Sequence, residues 1–218
     1  MFIELKKVKL KVPIENRGER LLLKIDEFKI EANQKILIKG PSGTGKSSLL
    51  HFMAGLMQAS EGSLNWDQSL VSSLTDQQRS QIRKQKFAII FQRLNLLDHL
   101  SLRENIFLAL GHSLSTNEKN KRADDALESV GLSKRARDLA AVMSLGEQQR
   151  LAIARALAQK PEVILADEPT SSLDQKNADL CMNALLKASQ NASLVVVSHD
   201  ERIQKSFSRV QSIMDWVP

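Results

Sequence analysis

The sequence predicts an α/β fold with a mainly parallel sheet, an N-terminal antiparallel β subdomain and a helical subdomain inserted at about residues 95–155. Three observations lead there. Short aliphatic runs alternate with helix-patterned stretches, the order that builds parallel sheets with right-handed crossovers. The run Val163-Ile164-Leu165-Ala166 has no polar face, as in a strand covered on both sides. The first residues, from Ile3-Glu4-Leu5-Lys6 onward, instead alternate apolar with charged, the mark of half-buried antiparallel strands.

In chain order, strands are expected near residues 2–12 and 21–30, with Gly18 in the turn between them. Residues 36–56 read as strand, loop and helix: Ile36-Leu37-Ile38 is apolar, and Ser48-Leu49-Leu50-His51-Phe52-Met53-Ala54 is helix-forming. Phe87-Ala88-Ile89-Ile90-Phe91 is a further strand. Residues of about 101 to 140 are helical in pattern, broken at Gly111 and Gly131, and strands return at 163–167 and 194–198. A chain of 218 residues makes one large domain or two small ones, and 42% hydrophobic residues suffice for a core.

Between that first parallel strand and its helix lie Gly40-Pro41-Ser42-Gly43-Thr44-Gly45-Lys46-Ser47, which fit the phosphate-binding loop G-x-x-x-x-G-K-[ST]. The fold class is therefore a P-loop NTPase. Gly43 and Gly45 let the backbone wrap with its N–H groups inward. Those groups, with Ser48 at the helix start, suit a polyphosphate. Lys46 reaches the β- and γ-phosphates and Ser47 ligates Mg²⁺. The second aliphatic strand ends in Asp167-Glu168. Asp167 at that end is expected beside the P-loop, holding Mg²⁺ through water. Glu168, one residue on, is expected to point the other way and polarise the attacking water.

Four further motifs resemble those of the ATP-binding cassette (ABC) ATPases. Phe91-Gln92-Arg93-Leu94-Asn95-Leu96-Leu97 is similar to the Q-loop, and Met143-Ser144-Leu145-Gly146-Glu147-Gln148-Gln149-Arg150 to the signature. Ser171-Ser172-Leu173-Asp174 resembles the D-loop, and Val195-Val196-Val197-Ser198-His199-Asp200 the switch histidine. With the two carboxylate and phosphate motifs they stand in family order from about residue 36 to 200. The resemblance implies ATP and Mg²⁺ as cofactors. It makes Glu168, His199 and Gln92 the catalytic groups, with Gln92 also near the metal. It implies two cassettes facing head to tail, a homodimer or a heterodimer with a related ATPase. Each ATP would lie between one P-loop and the other subunit's Ser144, Gly146, Glu147 and Asp174. The partner would be an integral membrane, permease-like subunit on a separate chain, which places the protein in the cytoplasm on the inner membrane face. The segment from Gln92 to Ile106, with Leu173 to Asp179, is similar to the lipoprotein-releasing, macrolide-exporting and cell-division ATPases of bacteria. The chain stops about 20 residues after His199, which implies no regulatory C-terminal domain.

Two positions depart from the family pattern. Leu145 stands where a glycine usually follows the signature serine. Ser144-x-x-Glu147 is also a capping box, so Leu145 is expected at the first helical position with ordinary dihedrals. The resemblance implies that this position presses on the γ-phosphate of the facing subunit, where an isobutyl group either displaces the nucleotide or is turned aside. That favours a second reading, a slow ATP-gated signalling or scaffold clamp acting on an envelope-remodelling membrane partner. Val12 falls where the family commonly stacks an aromatic ring on adenine, which implies weak base selectivity. The repair ATPases of the family need a long coiled coil between the two phosphate-site motifs, and no sustained heptads occur here.

The remaining composition narrows the setting. A net charge of +6 suggests an acidic partner, but the basic residues are scattered. The densest groups, Arg79, Arg83, Lys84 and Lys86, and then Lys119, Lys121 and Arg122, read as solvated helix faces. With no Tyr and 4% aromatic residues, a base-stacking surface is not expected, hence no nucleic acid. No apolar run approaches the ~18 residues of a membrane span, and the N-terminus lacks a signal peptide's apolar centre. The lone Cys181 excludes an internal disulfide and reads as a helix residue.

Overall fold

The computed structural model describes residues 1–14, 18–111 and 114–218. Strands β1 (Ile3–Ile14) and β2 (Gly18–Ile30) pair antiparallel, with β4 (Glu61–Trp66) on the other side of β1 and the short β5 (Ser69–Leu70) beyond it. Gly18 does not lie in the turn: it opens β2, opposite Ile14, and residues 15–17 between the strands lie outside the described residues. The charged-apolar alternation buries Ile3, Leu5, Val8 and Leu10, and a register shift between Lys6 and Lys9 restores the phase broken by Lys6-Lys7.

The second sheet is all parallel, in the order β6 (Phe87–Ile90), β7 (Val163–Asp167), β8 (Ser193–Ser198), β3 (Lys35–Lys39), β9 (Arg209–Ser212). Period-2 alternation divides its side chains between two cores. Leu37, Ile164, Ala166, Leu194 and Val196 face a core shared with the helices. Ile36, Ile38, Val163, Leu165, Val195 and Val197 face α1 (Lys46–Met53) and the antiparallel sheet. The sheet is thus covered on both faces, as the uniform apolarity of β7 requires.

The helical run predicted over 101–140 resolves into α3 (Leu102–Leu110) and α4 (Thr116–Ser129), then two 3₁₀ turns at Ser133–Arg135 and Ala140–Val142. The run ends where α5 (Leu145–Ala158) begins. Gly111 and Gly131 sit at its breaks with φ of 65° and 72°, ending α3 and following α4. Ser101, Ser115 and Ser144 cap the three helices. Helix α6 (Gln175–Ala188) carries Cys181 fully buried, and burial pushes its thiol up to about 12, so it packs and does not react.

Helix α2 (Asp76–Lys86) has no buried residue and so offers no hydrophobic stripe. It is fixed by a Thr75–Gln78 capping box, by the partly buried Ile82 against the core and by its cations. Arg79 pairs with Asp76, Arg83 donates to the Gly55 carbonyl, and Lys86 reaches Asp67 and Glu162. Three of the four charges expected on a solvated face are therefore tied within the chain. Among the described residues, no helix is long and apolar enough to cross a membrane.

Candidate nucleotide-binding site

The site forms at the C-terminal ends of β3, β7 and β8, where open parallel sheets bind ligands. The chain leaves β3 into the loop 40–45, in which Gly43 and Gly45 have φ of 80° and 97°. A Cβ at Gly45 would also meet Leu22 at 2.7 Å, so both conformation and space demand glycine there. Gly45 is the N-cap of α1. No described side chain caps this helix and its first turn holds no acid, which leaves its first amides free for an anion.

A cavity of about 360 Å³ opens on this loop. Ser42, Gly43, Gly45, Lys46, Ser47 and Ser48 line one side. Gln92, Asp167, Glu168 and His199 line another, and Val12 and Leu22 of the antiparallel sheet complete it. Gly40, Pro41 and Thr44 do not line it but shape the loop. Thr44 Oγ1 donates to the Pro41 carbonyl at 2.8 Å, and a Cβ at Gly40 would strike Ile213 at 2.3 Å.

Lys46 is buried, and its Nζ donates to the carbonyls of Gly40 at 2.8 Å and Pro41 at 2.9 Å. It also lies 3.2 Å from Glu168 Oε1. The ammonium is thus held in the cavity wall with its charge balanced, a short swing from any phosphate placed against the loop.

Glu168 corrects the expectation from strand alternation. It was expected to point away from Asp167, yet both carboxylates line one cavity. The reason is its backbone: φ is 48°, in the left-handed region that a non-glycine residue rarely adopts, so the chain leaves strand geometry there. The conformation is held by the Glu168 N–H on the Val197 carbonyl and by the carboxylate's own bonds. Ser198 Oγ donates to Oε2 at 2.7 Å, the His199 N–H to Oε1 at 3.2 Å, and His199 Nδ1 lies 2.9 Å from Oε1. Burial alone would raise this carboxyl, but His199, Ser198 and Lys46 together hold it below its ordinary range. It is a carboxylate, poised to accept a proton from water.

Asp167 is shifted in the opposite direction. Burial pushes its carboxyl up, the neighbouring Ser47 hydroxyl works against this, and the Glu168 charge adds to it. Its Oδ1 is buried with no hydrogen-bond partner. An orphaned acceptor in a cavity of this kind fits a cation. The donors around it, the Asp167 carboxylate, the Ser47 hydroxyl and the Gln92 amide, are hard oxygens suited to Mg²⁺. No group of three or more His, Cys, Asp and Glu able to hold a metal occurs among the described residues.

The fold does not bring the other four predicted residues to this cavity. Ser144 caps α5, with its N–H and Oγ both donating to Glu147 Oε2 at 2.9 Å. Glu147 Oε1 pairs with Arg135 at 2.6 Å, so its carboxylate is occupied within the chain and holds the helix start in shape. Gly146 is a close approach, since a Cβ there would meet Asn177 at 2.7 Å. Asp174 caps α6 through the Asn177 N–H at 2.8 Å. Leu145 is the first residue of α5, as the capping box predicts, and is half exposed. Sequence reading missed Ser198 and Leu22, the first on the Glu168 carboxylate and the second against Gly45. Ser198 stands beside His199 and was open to notice, whereas Leu22 comes from the other sheet and carries no motif.

Comparison with known proteins gives a consistent picture. The family model described as "ABC transporter" matches residues 23–171. The lipoprotein-releasing system ATP-binding protein LolD of Hydrogenovibrio crunogenus is 36% identical over 204 residues, covering 92% of this chain and 85% of that protein. The macrolide export ATP-binding/permease protein MacB of Mannheimia succiniciproducens is 38% identical over 196 residues, 89% of this chain but 30% of that longer protein. Among solved structures, the dimeric post-hydrolysis state of the ATP-binding cassette MJ0796, bound to ADP and Pi, superposes with a TM-score of 0.87 at 33% identity, covering 96% of this chain and 93% of that one.

Proposed function

The chain belongs to the ABC transporter family and is an ATP-binding, ATP-hydrolysing cassette, and we propose that it is the ATPase subunit driving a membrane permease-like protein on a separate chain. The observation that carries this reading is the convergence of Lys46, Asp167, Glu168 and His199 on one cavity above the P-loop. In the proposed cycle the loop amides and Lys46 bind the β- and γ-phosphates of ATP. Asp167, Ser47 and Gln92 would hold Mg²⁺, which would neutralise phosphate charge. Glu168 accepts a proton from the attacking water, and His199 orients the carboxylate. Ser144, Gly146 and Asp174 serve the ATP of a facing cassette, a placement supported by their absence from this cavity's lining and by the dimeric state of MJ0796. Glu147 acts there through the cap it forms. The groove at the Q-loop, residues 91–97, carries the motion to the membrane partner, and the working position is the cytoplasmic face of the inner membrane. Lipoprotein release and macrolide export are two models for the cargo.

Glu168→Gln tests the reading. The amide preserves shape and ATP binding but cannot accept the proton, so turnover should fall by roughly 10²-fold or more while an ATP-bound dimer accumulates in size-exclusion chromatography. Wild-type turnover in this variant would remove Glu168 from the mechanism. Lys46→Ala in the same assay should instead weaken nucleotide affinity.

A further inference from the structure

Arg202 follows the histidine segment and matches none of the motifs above, yet it makes an unusually complete set of contacts. Its Nε donates to Asp200 Oδ1 at 2.8 Å and its Nη2 to Asp200 Oδ2 at 2.7 Å, a bidentate pair. The same guanidinium donates across the loop, from Nη1 to the Leu173 carbonyl and from Nη2 to the Thr170 carbonyl, both at 3.2 Å. Thr170 Oγ1 closes the ring by donating to Asp200 Oδ2 at 2.7 Å. Arg202 is only partly covered and Asp200 is nearly buried. The pair holds the Asp200 carboxyl down at about 2.

These acceptors are not scattered. Thr170 lies two residues after Glu168, and Leu173 belongs to the loop that follows. Asp200 directly follows His199, and its own N–H donates to Ser198 Oγ at 3.0 Å, the hydroxyl that in turn donates to Glu168. Glu168 and His199 therefore face each other from two backbone segments, and one guanidinium joins those segments just beyond the pair. We propose that Arg202 is a positioning residue for ATP hydrolysis, stapling the Thr170–Leu173 loop to the segment that carries His199. This rests on the reading that Glu168 and His199 serve the hydrolytic step. The planar fork is what the task needs: a lysine ammonium is a point charge and does not span two carboxylate oxygens and two carbonyls in one plane. Glu168 sits in an uncommon backbone conformation, so it depends on both flanks being fixed.

The test compares wild type with Arg202→Ala and Arg202→Lys, and uses Glu168→Gln as a control, all as full chains. The readouts are kcat, ATP affinity by direct titration, and Tm. Displacing the Glu168–His199 pair should lower kcat about tenfold in Arg202→Ala, with ATP affinity within twofold because the P-loop is untouched. Arg202→Lys should recover Tm but leave kcat low. A wild-type kcat in Arg202→Ala, or full recovery of kcat in Arg202→Lys, overturns the staple. Loss of ATP affinity along with kcat in Arg202→Ala makes the residue a structural brace only and overturns it as well. If Glu168→Gln turns over like wild type, the underlying assignment has failed; if it is inactive while Arg202→Ala is normal, only the staple has.

Discussion

Single residues decide which chemistry this cavity supports. The two adjacent carboxylates Asp167 and Glu168 are driven apart electrostatically. One is pushed up by burial and left with a free oxygen, the other is held down by three donors. A metal ligand and a proton acceptor can thus sit side by side. Val12 is the proposed base contact in the same cavity. It is part-buried on the wall with no ring to stack on a base. GTP should therefore compete with ATP to within about tenfold, a gap of ~1.4 kcal/mol, in nucleotide displacement measurements. Val12→Tyr should tighten ATP. A hundredfold natural preference for ATP would mean that another residue reads the base.

At the scale of elements, helix starts are the working parts. α1 begins without a side-chain cap and keeps its amides for phosphate, whereas α5 is closed by the Ser144–Glu147 box, with Arg135 fixing the box from outside. Leu145 projects half exposed from that capped end. It has no backbone penalty there, so its effect is confined to what faces it. If it crowds a γ-phosphate held by a facing cassette, Leu145→Gly should raise steady-state ATPase activity. It should do so although glycine costs helix propensity, up to about 1 kcal/mol. Flat or lower turnover in the glycine variant, with a fast wild type, would discard crowding and with it the main support for a slow scaffold clamp.

For the molecule as a whole, acid is the informative perturbant. The Asp200 carboxyl is held by Arg202 at about 2, against 3.8 for a free aspartate. A carboxyl with a depressed folded pKa contributes stability that is complete above its unfolded pKa and is lost as pH falls through the folded one. This contribution is therefore intact at pH 5 and fades between about 4 and 2. Denaturant midpoints for wild type and Arg202→Ala should differ most at pH 5 and converge by pH 2. A gap that stays constant across that range would show that Arg202 stabilises through packing alone.

The sequence by itself determined the local chemistry: the P-loop, the carboxylate pair, the histidine, the capping box at Ser144 and the inert Cys181. Each is written in consecutive residues, because loop conformation, caps and strand ends depend on spacing. The elements it did not reveal are those without a hydrophobic period. Helix α2 has no fully buried residue and packs on the core only through the partly buried Ile82, and β4, β5 and β9 are short or polar. Their place is set by neighbours that pair with them. Tertiary structure alone decided the direction of Glu168, because its left-handed φ depends on Ser198, His199 and Lys46, which come from another strand, the loop after it and the start of α1. It alone decided the Arg202 staple, which joins residues about 30 positions apart. Spacing along a chain fixes what a segment can do; only the order of strands in the sheet fixes which segments meet.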